Sequence, residues 1–129
     1  DHAPHEADSK RREFEHASFG MLGLQTTLPI TLSLVRAGKL SMKRAIEALT
    51  SAPARCFNMP HAGLKKGAVA DITVIDPERS YVLAPEHILS KSKNTPLFGM
   101  TMQGHAASVL IGGRLVYSAE QGFIARSND

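Results

Sequence analysis

Helices first and strands last is the fold class this chain predicts, an α/β arrangement whose two kinds of element are segregated rather than alternating. Three observations predict it. Between Leu24 and Leu49, apolar residues recur three and four positions apart, the spacing of one helical face. Beyond Pro60 that period gives way to β-rich runs, Ile72-Thr73-Val74-Ile75 first among them. Near the end, Gly112-Gly113 separates Val109-Leu110-Ile111 from Arg114-Leu115-Val116-Tyr117, and paired glycines supply the positive φ angles of a two-residue hairpin turn. The two territories meet near residue 59.

The elements follow in order. Residues 1–23 read as loop, punctuated by Pro4, Ser9, Gly20 and Gly23. Leu24, Leu28, Leu32 and Val35 mark a first helix, which tolerates Pro29 only in its first turn and ends at Gly38. Ser41 caps a second, in which Met42, Ala45, Ile46 and Leu49 form the apolar stripe. Thr50 or Ser51 caps a third, short helix with Pro53 near its start, burying Cys56 and Phe57. Asp71 to Ile75 is a strand stopped by Asp76-Pro77, and Tyr81-Val82-Leu83 is a second strand. Residues 84–105, with Pro85, Pro96, Gly99 and Gly104, are irregular. No internal repeat is visible.

Composition narrows the function classes. A chain of 129 residues holds one ordinary domain with a core, and 43% apolar against 21% charged residues excludes global disorder. The net charge of +3 is thinly spread. Its adjacent basic runs, Lys10-Arg11-Arg12 and Lys65-Lys66, lack interleaved aromatics, so they read as solvated loops and not as a nucleic-acid surface. The single cysteine, Cys56, excludes an internal disulfide and a Cys-rich zinc ribbon, and fits a reducing cytoplasm. No stretch reaches the ~20 apolar residues of a membrane span.

Chemistry concentrates at the start, in Asp1-His2-Ala3-Pro4-His5. Pro4 fixes φ and holds Ala3 out of helical conformation, giving a stiff, extended turn. Carboxylate and imidazole both bind zinc, which lowers the pKa of a bound water to about 7. A neighbouring carboxylate can take that water's proton and hand it to a departing nitrogen. One Asp and two His are too few for a closed metal site, so further ligands must come from elsewhere. Asp1 stands without a strand before it, and the expectation is a C-terminal piece of a longer protein. Gly20 and Gly23 either bring backbone close to a ligand or merely shape the turn before the first helix, and sequence physics alone favours the turn. His16, His61, His87 and His105 have no partner at ligand spacing and read as ordinary surface or boundary residues. Lys91-Ser92-Lys93-Asn94-Thr95-Pro96 is polar and turn-rich: an anion site or, more simply, a structural loop.

Taken together, the opening pentapeptide, Phe19-Gly20, Gly23 to Pro29, Leu49 to Arg55, Gly67 to Ile72 and Lys91 to Pro96 resemble the C-terminal third of bacterial-type dihydroorotases, in the cyclic amidohydrolase superfamily. Pro53-Ala54-Arg55 and Gly67-x-x-Ala70-Asp71 are shared across the superfamily; the opening pentapeptide and Lys91 to Pro96 are narrower. The resemblance implies that residues 1–58 end a (β/α)8 TIM barrel and residues 59–129 form part of a small composite β-sandwich. It implies a zinc enzyme interconverting N-carbamoyl-L-aspartate and dihydroorotate in pyrimidine synthesis. Barrel active sites form at the C-terminal strand ends. Asp1 matches a residue there that is metal ligand and general acid/base, His5 a contact to the substrate carboxylate, and Phe19 and Gly20 a backbone pair that hydrogen-bonds the ring.

The sequence departs from the family at Ser18, where proline is usual, which is expected to loosen the loop. It departs again at Gln25, where glutamate is usual. The His-x-His metal motif is not in this chain, so the segment alone is expected to bind zinc weakly, to lack turnover and to expose helix faces meant for the barrel. Two other readings stay open. One is a hydantoinase, dihydropyrimidinase or allantoinase, relatives that typically lack a histidine matching His5. The other is a non-catalytic partner of aspartate transcarbamoylase, against which Asp1 and His5 argue. Homodimerisation is equally compatible.

Overall fold

A computed structural model of the chain describes residues 1–60 and 63–125. Among the described residues four α-helices come first: α1 (Ala7–Lys10), α2 (Thr27–Arg36), α3 (Met42–Leu49) and α4 (Ser51–Cys56). Four strands follow: β1 (Ile72–Val82), β2 (Thr101–Ile111), β3 (Arg114–Ser118) and β4 (Gly122–Phe123). They form one antiparallel sheet in the order β1-β2-β3-β4. The chain is thus a mixed α/β unit with segregated elements.

Local chemistry explains the helices. Pro29 lies in the first turn of α2, where a missing N–H is harmless, and is buried there. Gly38, at φ +67, closes the C-terminus by donating to the Val35 carbonyl, and Lys39 donates to that of Leu34. The Ser41 hydroxyl accepts the Arg44 N–H at 3.2 Å and starts α3. One expectation needs correction and another refinement. Leu24 lies outside α2 and is 76% exposed, because Gly23 to Thr26 are spent turning the chain into the helix. Thr50 does stand at the N-cap of α4, its carbonyl accepting the Ala54 N–H, but its hydroxyl caps no amide there and donates back to the Ile46 carbonyl at 2.6 Å.

The helical stripe is only half covered. Ala45 is buried, while Met42, Ile46 and Leu49 each keep more than a third of their surface in solvent. Cys56 and Phe57, expected inside, are exposed, since α4 packs against α3 and nothing among the described residues covers its end.

The sheet also revises the sequence reading. Asp76-Pro77 does not stop a strand, and Tyr81 to Val82 belongs to the same element. β1 runs through both as an edge strand, with a register break between Asp76 and Ser80. The Asp76 carboxylate accepts the N–H groups of Glu78 and Arg79 at 3.0 and 3.1 Å, satisfying amides that the ladder leaves free. β2 begins at Thr101, inside the stretch expected to be irregular, because pairing with Tyr81 and Val82 overrides its weak local signal. Gly112 and Gly113, at φ +57 and +80, form the anticipated hairpin turn. Across the sheet, the rings of Tyr81, His105, Tyr117 and Phe123 follow one another at 5.2 to 6.2 Å. Burial, and secondarily the Tyr117 phenol, push the Tyr81 phenol above its usual range.

The sheet packs against loop residues in one place and against α2 in another. Leu22, Leu83, Ile88 and Met102 form the core cluster, with Tyr81, Leu97 and Phe98 packed against it. Leu32 of α2 is buried against Gly104 of β2, so close that an added Cβ would overlap its side chain. Gly104 also sits at φ +107, a region L-residues avoid. Gly104→Ala is therefore expected to lower stability by about 1–3 kcal/mol. An unchanged urea midpoint would show that this contact is slack.

Candidate functional site

The leading peptide lies along the loop that enters α2. The Ala3 N–H donates to the Met21 carbonyl at 2.9 Å. His2 Nδ1 accepts the N–H groups of Gly23 and Leu24 at 3.1 and 3.3 Å, and its Nε2 faces the Ser90 hydroxyl at 3.4 Å. A ring accepting twice at Nδ1 carries its proton on Nε2. Pro4 is buried beneath this turn.

Glycine makes the approach possible. A Cβ on Gly23 would overlap the Asp1 carbonyl oxygen, and one on Gly20 would overlap the backbone of Ala3. These residues do more than shape a turn. They admit the Asp1–Ala3 backbone, and Gly23 then accepts from the N–H and hydroxyl groups of both Thr26 and Thr27.

Asp1 is exposed and lines a cavity of about 360 Å³ with Gly20, Gly23, Thr26, Thr27 and Thr31. His5, also exposed, adopts φ +51, which turns the chain away. It lines a second cavity, of about 520 Å³, with Lys10, Arg11, Lys91, Lys93 and Asn94. The structure therefore brings Asp1 and Gly20 together and sets His5 in the neighbouring cavity. The Phe19 side chain lines neither of these and is 92% exposed. Among the described residues, no three His, Cys, Asp or Glu side chains gather as a metal would require. These residues alone do not fit a zinc site, and Asp1 offers at most one ligand.

Sequence reasoning underrated several neighbours. Lys91 to Asn94 border the His5 cavity, and Asn94 both accepts the Leu22 N–H and donates to the Gly20 carbonyl. Gln25 spans to the opposite loop: its amide donates to the His87 carbonyl and accepts the Leu89 N–H at 2.8 Å. A glutamate could not make the first of these bonds. Ser18, expected to loosen its loop, instead donates its N–H to the Ser9 carbonyl at 3.1 Å, a bond proline lacks. Of the scattered histidines, His87 Nδ1 accepts the Ala84 N–H and His105 stacks within the sheet. His61 lies outside the described residues.

A family profile described as "Amidohydrolase family" matches residues 12–116. The chain belongs to the amidohydrolase family. Among curated amidohydrolase relatives, a dihydroorotase of Trichlorobacter lovleyi is 44% identical over 118 residues, covering 92% of this chain and 28% of that protein. A dihydroorotase of Endomicrobium trichonymphae is 45% identical over 119 residues, covering 91% and 28%. The chain thus spans a little over a quarter of the length of such relatives. The L-hydantoinase (dihydropyrimidinase) of Arthrobacter aurescens shares the fold, with a TM-score of 0.77 and 27% identity over 87% of this chain and 26% of that one. Among the described residues no helix is long and apolar enough to cross a membrane.

The glycine contact yields a direct test. Gly23→Ala is expected to lift the leading peptide off its loop and speed exchange of the Ala3 amide by about tenfold or more, a local loss of roughly 1.4 kcal/mol. Amides of the β2–β3 hairpin should keep their protection; unchanged exchange at Ala3 would show that the overlap is absorbed elsewhere.

Proposed function

We propose that this segment belongs to a zinc-dependent dihydroorotase, in which it forms the end of the barrel and part of the sandwich and supplies the proton-transferring carboxylate. The observation that carries the reading is the fixed position of Asp1, held by His2 and the two glycines at the edge of a cavity it shares with Gly20. Identity of 44–45% to dihydroorotases over more than nine-tenths of the chain supports it.

In this reading, opening of dihydroorotate adds water to the ring carbonyl carbon and breaks its bond to nitrogen. Asp1 takes one proton from the water and delivers it to the leaving nitrogen, ending as it began. The reverse sequence closes the ring of N-carbamoyl-L-aspartate. Zinc, with its other ligands outside these residues, would supply the activated water. The backbone of Phe19 and Gly20 meets the ring. His5, bordering a cavity with Lys91 and Lys93, suits the substrate carboxylate, a group hydantoin lacks. Retention of both Asp1 and His5 supports a catalytic chain over a scaffold for aspartate transcarbamoylase.

The test is an assay of the full-length protein on dihydroorotate, hydantoin and allantoin, with preference for dihydroorotate expected. Asp1→Asn should lower kcat by roughly a hundred- to ten-thousand-fold without unfolding the protein. Undiminished turnover in that variant would remove Asp1 from the chemistry, and preference for hydantoin would move the enzyme to the other branch of the family.

A further inference from the structure

The basic run Lys10-Arg11-Arg12 is not uniform. Arg11 makes only an exposed contact with Asp8 at 3.8 Å, and Arg12 is exposed, as solvated charges are. Lys10 is partly buried and turned inward. Its ammonium donates to the Ser18 carbonyl at 2.5 Å and to the Gly20 carbonyl at 2.6 Å. The Gly20 oxygen receives a second donor, Asn94 Nδ2, at 3.2 Å, and the Asn94 carbonyl accepts the Leu22 N–H at 2.9 Å. A lysine and an asparagine more than 80 positions apart thus converge on one carbonyl of the loop that follows Phe19.

We propose that Lys10 and Asn94 are positioning residues that hold the Ser18–Gly20 backbone in its substrate-binding form. The inference rests on the dihydroorotase reading, in which Phe19 and Gly20 meet the ring through main-chain atoms. With the Ser18 and Gly20 carbonyls occupied, the amides of Phe19 and Gly20 still donate to no partner among the described residues, and between them the Phe19 carbonyl accepts from none. The peptide that joins Ser18 to Phe19 carries the ammonium on its oxygen and the Phe19 N–H at its other end. A cation on the oxygen draws electron density from the amide and makes that N–H a stronger donor to an incoming carbonyl. Lysine suits the task because a compact ammonium carries three donors and serves both carbonyls at once.

The test uses the full-length enzyme. Lys10→Met keeps the apolar stem and removes the ammonium; Asn94→Asp removes the second donor and leaves the main-chain bond to Leu22. In both, KM for dihydroorotate should rise by about tenfold or more while kcat stays within about threefold, the pattern of lost substrate binding. Amide exchange at Ser18 or Leu22, read without substrate, should quicken. Lys10→Cys, aminoethylated to rebuild an ammonium of lysine length, should recover the KM of the parent enzyme treated with the same reagent. Loss carried by kcat alone, unaltered exchange in both variants, or failure of aminoethylation to restore KM would each overturn the proposal. A parent enzyme inert toward dihydroorotate would instead sink the functional reading, and exchange in the two variants would then decide the anchoring role by itself.

Discussion

Everything at the candidate site depends on how closely two backbones can lie. Asp1 to Ala3 rest on Gly20 and Gly23 because neither glycine carries a Cβ. Once the backbones meet, His2 can accept two main-chain N–H groups and Ala3 can donate to Met21. The same loop sends Leu22 into the core cluster and begins α2 through the Gly23 carbonyl. The carboxylate is therefore tied to the sheet by a short chain of contacts: leading peptide, glycine loop, Leu22, then Leu83, Ile88 and Met102. Precision at an exposed side chain is borrowed from a buried one.

Charge around the site is spent on the protein's own backbone rather than on exposed ion pairs. The Lys10 ammonium serves two carbonyls, and the Lys93 ammonium donates to the Pro85 carbonyl at 2.9 Å. The side-chain ion pairs among the described residues, Asp8 with Arg11 and Glu47 with Arg44, are exposed and contribute little. Loops with few regular hydrogen bonds of their own gain order from such donors, because every carbonyl they leave unpaired is an acceptor waiting for one. Gln25 and Ser18 extend the pattern: each makes a bond that a glutamate or a proline, respectively, could not.

Much of the helical half was legible from residue spacing, since Pro29, Gly38 and Ser41 act through rules local to a few residues. The Gly112-Gly113 hairpin was legible for the same reason. What the sequence hid was non-local. β1 continues past Asp76-Pro77 because pairing with β2 and a carboxylate accepting two amides outweigh a local stop signal. Cys56 and Phe57 have the apolar character of core residues, but burial needs a partner surface, and spacing cannot show whether one is there. At the site, the residue types singled out Asp1 and Gly20, which line one cavity, and His5, which lines another. The meeting of Lys10 and Asn94 on Gly20 had no signal at all, because no periodicity links positions so far apart.

The interruption at Asp76 bears on how the sheet ends. Among the described residues β1 is an outer strand, and such strands invite unrelated chains to zip along their open hydrogen-bonding side. Here Pro77 has no N–H to offer, and the amides of Glu78 and Arg79 are folded back onto a carboxylate. An intruding polypeptide would find its ladder broken midway. The irregularity that made this segment hard to recognise is thus a guard against runaway self-association.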